Sequence, residues 1–131
     1  MEIMQLKHLN LTTSDVMDLA AVFERFFGFK RLLERGSGAL AILSNEDGFV
    51  LTLMKLKKDD PAVYPETFHV GFYVDELAAV EAKRNELLAG GLAAGEIQDA
   101  RRSGRGAHFY CPAPGGIVIE IATRPQLQEA L

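Results

Sequence analysis

Gly104-Arg105-Gly106-Ala107, followed by Ile117-Val118-Ile119-Glu120-Ile121, repeats the pattern of Gly36-Ser37-Gly38-Ala39 and Phe49-Val50-Leu51-Thr52-Leu53 with a constant separation of 68 positions, and the same register lays Gly116 on Gly48. Each window reads as a glycine turn that leads into a strand. Further upstream, His8-Leu9-Asn10-Leu11 is matched 61 positions later by His69-Val70-Gly71-Phe72, and Asp18-Leu19-Ala20-Ala21-Val22 by Glu76-Leu77-Ala78-Ala79-Val80. The windows keep their order while the offset changes. That is the signature of a duplicated unit whose loops have changed length but whose elements have not.

Periodicity and punctuation supply the elements of one unit. Gln5 to Thr13 alternates as a half-buried strand does, and Ser14 stands as an N-cap before Val16, Leu19, Ala20, Phe23, Phe26 and Phe27 at helical spacing, with Gly28 as the stop. Strands are then expected over Phe29 to Glu34, Ala39 to Leu43, and Phe49 to Lys55 after the Asn45-Glu46-Asp47-Gly48 turn. The second half predicts a strand over Thr67 to Val74, a helix from Asp75 to about Leu88, and strands near Ile97, over His108 to Cys111 and over Ile117 to Ala122. The expectation is one domain over residues 1–131. It consists of a first βαβββ module over 1–55, a linker over 56–66 with Pro61 and Pro65, and a second module over 67–124.

Composition narrows the function classes. With 131 residues, 48% hydrophobic and 24% charged, the chain has enough apolar surface for a core and too much for disorder. No apolar run approaches the roughly 18 residues of a membrane span. A net charge of −4 argues against a nucleic-acid partner, whose binding rests on a basic footprint. One cysteine, Cys111, cannot close an intrachain disulfide, and Met1-Glu2-Ile3-Met4-Gln5-Leu6-Lys7 has no signal-peptide pattern, so a cytoplasmic location is expected.

Strand parity decides which side chains share a face. Leu9 and Leu11 fall on one side and His8, Asn10 and Thr12 on the other. In the matching strand Phe68, Val70, Phe72 and Val74 oppose Thr67, His69, Gly71 and Tyr73. Phe49, Leu51 and Leu53 leave Thr52 opposite, and Ile117, Ile119 and Ile121 leave Glu120 opposite. Each sheet thus has an apolar back for its helix and a front with isolated polar groups. A strand histidine taken alone is more often a hydrogen-bonded structural residue than a ligand. A carboxylate among isoleucines calls for a partner, which a salt bridge to arginine or an exposed face also satisfies. His8, His69 and Glu120 occupy repeat-related front positions. Two imidazoles and a carboxylate converging from separate strands form a facial triad for a divalent metal.

Together these residues resemble the vicinal oxygen chelate superfamily of glyoxalases, extradiol dioxygenases, fosfomycin-resistance enzymes and bleomycin-resistance proteins. The likeness runs from residue 5 to 124. It rests on His8-Leu9-Asn10-Leu11 with Ser14-Asp15, on Phe26-Phe27-Gly28-Phe29, on Phe68-His69-Val70-Gly71-Phe72, and on Phe109-Tyr110-Cys111-Pro112-Ala113-Pro114-Gly115-Gly116 leading to Ile119-Glu120. The resemblance implies an α+β fold of two βαβββ modules, with curled mixed sheets enclosing a cavity and helices outside. Its ligand positions carry over to His8, Thr52, His69 and Glu120. A threonine is a poor ligand, which departs from the four-ligand glyoxalase I pattern and leaves three donors. Asn10 stands where fosfomycin-modifying enzymes would have a substrate-binding threonine.

The function implied is a metalloenzyme in which one divalent ion per site, Fe, Mn, Zn or Ni, chelates adjacent oxygens of a small substrate for lyase, dioxygenase or transferase chemistry. His8, His69 and Glu120 are the expected metal ligands, and Tyr73 and Arg105 the expected catalytic assistants. Asn10, Thr52, Met54 and Tyr110 are expected to line the cavity. His108 aligns with Leu40 and is read as a wall or surface residue. Arg101, Arg102 and Arg105 form either a solvated hairpin or an anion clamp. The alternative is a metal-free, bleomycin-resistance-like protein that sequesters a cationic drug. A homodimer is expected, with His8 of one chain and His69 and Glu120 of the other sharing a site.

Overall fold

Alternating side chains build the first sheet. Strand β1 (His8–Thr13) lies parallel to β4 (Val50–Lys55), and β3 (Leu40–Ser44) runs antiparallel between β4 and β2 (Lys30–Arg35), for the order β1-β4-β3-β2. The residues described in this computed structural model are 2–61 and 64–126. The chain divides into two compact units, Met1–Val63 and Tyr64–Leu131. Positions 62 and 63 of the expected linker lie outside the described residues, and its other residues carry neither helix nor strand.

Helix α1 (Val16–Phe26) packs on β2, β3 and β4 through Val16, Leu19, Ala20, Val22, Phe23 and Phe26, all buried. These positions trace one stripe at i, i+3, i+4 and i+7. They meet Leu11, Ala41, Leu43, Leu51 and Leu53 on the apolar back of the sheet, where each fully buried large side chain contributes on the order of 1.5–3 kcal/mol. Gly28, at φ +70°, turns the chain out of the helix. At the other end the sequence expectation needs correction. The N-cap is Asp15, not Ser14, and its side chain makes no capping bond. Thr13, fully buried, accepts a hydrogen bond from the Asp15 amide at 3.1 Å, so its hydroxyl serves the helix entrance from two residues upstream.

The second unit repeats the plan. Strands β5 (Val70–Val74), β6 (Gln98–Ala100), β7 (Gly106–Pro112) and β8 (Val118–Thr123) form the order β5-β8-β7-β6, with β5 parallel to β8 and the other pairs antiparallel. Helix α2 (Leu77–Ala89) packs on β7 and β8 and buries Val80 and Leu87. Phe109, Cys111, Ile117, Ile119 and Ile121 fill the space beneath it. The fold is therefore α+β, two mixed four-stranded sheets each carrying one helix. No helix among the described residues is long and apolar enough to cross a membrane.

Several strands start later than alternation predicts. β1 begins at His8 because its neighbour begins at Val50, after the Asn45–Gly48 turn, and the Val50 amide already bonds to the Lys7 carbonyl. Residues ahead of that point have no strand to pair with, and Ile3, Met4 and Leu6 are exposed. β5 begins at Val70 rather than Thr67 for the same reason, since its first partner is Ile119.

The two sheets share one register. Asn10 pairs with Thr52 and Thr52 with Ile42 in the first; Gly71 pairs with Glu120 and Glu120 with Tyr110 in the second. Repeat-equivalent residues thus occupy equivalent rows on the front of each sheet.

Candidate metal centre

Glu120 stands in the middle of the second front, where only its lateral neighbours can decide its surroundings. On one side Gly71 has no side chain. A Cβ there would lie 3.4 Å from Glu120 Oε1, in ordinary contact, so the glycine opens room that a larger residue would fill. On the other side Tyr110 is the direct cross-strand partner of Glu120. The Tyr110 pKa is raised above the ordinary 10.0, first by loss of hydration, then by the interaction of its hydroxyl with the Glu120 carboxylate and by that group's negative charge.

His69 lies one residue before β5, on the same side as Gly71. Its Nε2 is 3.8 Å from Glu120 Oε1, and its ring meets Tyr110 edge-on at 5.3 Å between centroids. The opposite nitrogen, Nδ1, is 2.9 Å from the Thr67 carbonyl oxygen. A carbonyl only accepts, so Nδ1 is the donor and Nε2 carries the free lone pair of the neutral ring. Holding one imidazole nitrogen on a backbone carbonyl is how ligating histidines are oriented. The lone pair therefore faces a carboxylate oxygen across a gap too long for a hydrogen bond and shorter than the roughly 4.2 Å that two metal–ligand bonds of about 2.1 Å span. These two donors fit a divalent ion. No group of three His, Cys, Asp or Glu side chains able to hold one occurs among the described residues.

In the first unit His8 also sets Nδ1 on a backbone carbonyl, here one on the neighbouring strand rather than two residues back. Its Nδ1 is 3.3 Å from the Val50 carbonyl oxygen, which leaves Nε2 as the free donor. Asn10 and Thr52 are cross-strand neighbours on that front, and Met54, exposed, lies two residues beyond Thr52 on the same side. Thr52 occupies the row position that Glu120 holds in the second unit.

The remaining expected residues lie elsewhere on the second unit. Tyr73 is two residues past Gly71, exposed, with the Arg124 guanidinium 5.0 Å from its ring centroid. Arg105 sits just before β7, five residues from Tyr110, or about 17 Å of extended strand. Its Nε approaches Ser103 Oγ at 3.4 Å. Arg101 is held by Asp99 through bonds of 2.6 and 2.7 Å, which keeps the Asp99 carboxyl at about 2, well below its usual value. His108 is on the Tyr110 side of β7, ring centroids 5.3 Å apart, and pairs across the strands with Ala122 rather than with Glu120.

Sequence reasoning missed two features. The Tyr110–Glu120 pairing was readable from opposed parity on antiparallel strands, once their register is known. A cavity of ≈ 490 Å³ beside His69 was not, because Glu66, Thr67, Phe68, Pro112 and Val118 come to it, with His69 and Tyr110, from three separate segments.

Known proteins agree with this architecture. Residues 5–121 match the family model of the Glyoxalase/Bleomycin resistance protein/Dioxygenase superfamily. A structure described as a possible glyoxalase from Bacillus cereus is 37% identical, covers 92% of this chain and 99% of its own, and superposes with a TM-score of 0.77. The fold is also shared with lactoylglutathione lyase from Agrobacterium tumefaciens (17% identity, 91% and 92% coverage, TM-score 0.70). A variant of the fosfomycin resistance protein FosX from Listeria monocytogenes, complexed with Mn(II) and a dihydroxypropylphosphonic acid, shares it too (18% identity, 94% and 92% coverage, TM-score 0.71). No curated protein matches the chain. On the family match over 5–121 and the 37% identity, this chain belongs to the glyoxalase/bleomycin resistance protein/dioxygenase superfamily.

Proposed function

We propose that the chain is a metal-dependent enzyme acting on a small molecule with two adjacent oxygens, with His8, His69 and Glu120 as metal ligands. The observation that carries this reading is the pairing of His69 Nε2 with Glu120 Oε1 at 3.8 Å while Nδ1 is parked on the Thr67 carbonyl. An ion held there would polarise the chelated oxygens and stabilise negative charge developing on them. His69 supplies a neutral donor whose orientation is fixed from behind. Glu120 supplies the anionic donor, with Tyr110 as its direct cross-strand neighbour. Gly71 leaves the approach open. Tyr73 is the next hydroxyl along the same face.

The third donor, His8, is proposed to come from the first unit of a second copy of the chain in a homodimer. Its support is that His8 stands at the position repeat-equivalent to His69 and likewise has Nδ1 on a backbone carbonyl, that of Val50. Metal analysis of protein purified without a histidine tag tests the reading, and at least one of manganese, iron, zinc or nickel should be retained near one ion per site. A protein that holds none tightly after each is supplied refutes the enzyme reading and favours metal-free sequestration of a ligand.

A further inference from the structure

We infer that the substrate carries an uncharged apolar substituent next to its chelating oxygens, and that the cavity walled by Phe68, Pro112 and Val118 receives it. This rests on the metal reading above, because His69 and Tyr110 line the cavity and are also the flanking neighbours of Glu120, one 3.8 Å from its carboxylate and the other paired with it across the strands, so the pocket is continuous with the proposed centre. Its volume of ≈ 490 Å³ accommodates a small ring or branched chain. Pro112 and Val118 are cross-strand neighbours that present carbon to the interior, and Phe68 is fixed by stacking on Tyr64, centroids 4.4 Å apart.

Charge decides what the tail is. No lysine or arginine among the described residues lines the cavity, and its charged acid is Glu66. Of the five arginines of this unit, Arg84 bonds to Gly95 and Glu96, Arg101 to Asp99 and Arg105 to Ser103, and Arg124 lies over Tyr73; neither these nor Arg102 lines the cavity. A phosphonate or carboxylate tail would lose its water, gain no cation and face a like charge. A hydrocarbon tail gains a factor of about four in affinity for each methylene it buries.

The test uses catechol, whose adjacent oxygens chelate, and three derivatives with an ethyl, an aminoethyl or a carboxymethyl tail. Calorimetry on the Mn(II)-loaded protein should give at least about fivefold tighter binding for the ethyl compound than for catechol, and weaker binding for both charged tails. Val118→Thr, nearly isosteric, should reduce the ethyl advantage several-fold without altering Mn(II) affinity. Equal or better binding of the carboxymethyl compound overturns the inference. Preference for the aminoethyl tail overturns it as well, and points to a cation-binding pocket. Mn(II) titration alone reports the metal reading separately. If Mn(II) does not bind, phenols bearing the same three tails decide the cavity on metal-free protein through the Val118 methyl resonances. Shifts confined to the ethyl compound support the subsite, and their absence refutes it.

Discussion

Tyr110 and Glu120 are directly paired across the antiparallel strands β7 and β8, and the Glu120 carboxylate helps raise the pKa of the tyrosine. The tyrosine thereby acts on the proposed metal through its ligand. Tyr110→Phe should lower metal affinity by about 10–100-fold, the range for loss of an outer partner of a ligand. The same variant provides a pH readout. A phenol whose folded pKa exceeds the unfolded value favours the folded state below about 10, and that contribution is lost as pH rises through the folded value. In the wild type one of the three tyrosines should ionise above the ordinary 10.0 in an ultraviolet titration, and Tyr110→Phe should remove that late phase. An unchanged titration curve would contradict the coupling of Tyr110 to Glu120.

Glu120→Gln keeps the shape and removes the charge. Metal affinity should fall by ~100-fold or more, beyond what an outer partner costs, whereas His108→Ala should leave it within about threefold. Competition with a chelating dye measures both. Equal losses in the two variants would mean that the donor histidine has been misassigned.

Subunit mixing tests where the third donor comes from. His8→Ala and Glu120→Ala proteins, exchanged together, should regain metal binding in the mixed dimers, each of which has one intact site and one doubly damaged site. Demonstrated exchange without any recovery would place all three donors in a single chain.

Backbone conformation yields a stability prediction. Gly106 has φ +84°, and an added Cβ would lie 2.7 Å from both the carbonyl oxygen and the hydroxyl of Thr123. Gly48 has φ +78° and nothing within 4 Å. Alanine at either position pays the left-handed strain of about 1–2 kcal/mol, but only Gly106→Ala also collides with a neighbouring strand. It should destabilise by at least ~2 kcal/mol more than Gly48→Ala in urea denaturation. Similar losses would show that β8 yields freely at Thr123.

The back of each sheet was legible because its chemistry is local. Leu51 and Leu53, or Ile119 and Ile121, alternate with Thr52 or Glu120, and a period of two needs no tertiary knowledge. Helix and strand beginnings were less legible. Gln5 and Thr67 fit the alternating pattern, yet whether they join a sheet depends on where β4 and β8 start. Ser14 has the right side chain for a cap, but Thr13 reaches the Asp15 amide instead. Parity placed His69 and Glu120 on one face. Their separation, and the side chains that flank them, depend on register between strands, which a linear pattern does not encode.

That common register has a consequence for the two faces. The row Asn10–Thr52–Ile42 is a blank copy of Gly71–Glu120–Tyr110, mounted on the same backbone beside a histidine already turned to offer Nε2. Asn10→Gly, Thr52→Glu and Ile42→Tyr would write the second row into the first sheet. At this row the two units therefore differ by three codons while sharing the backbone that would carry either set of side chains.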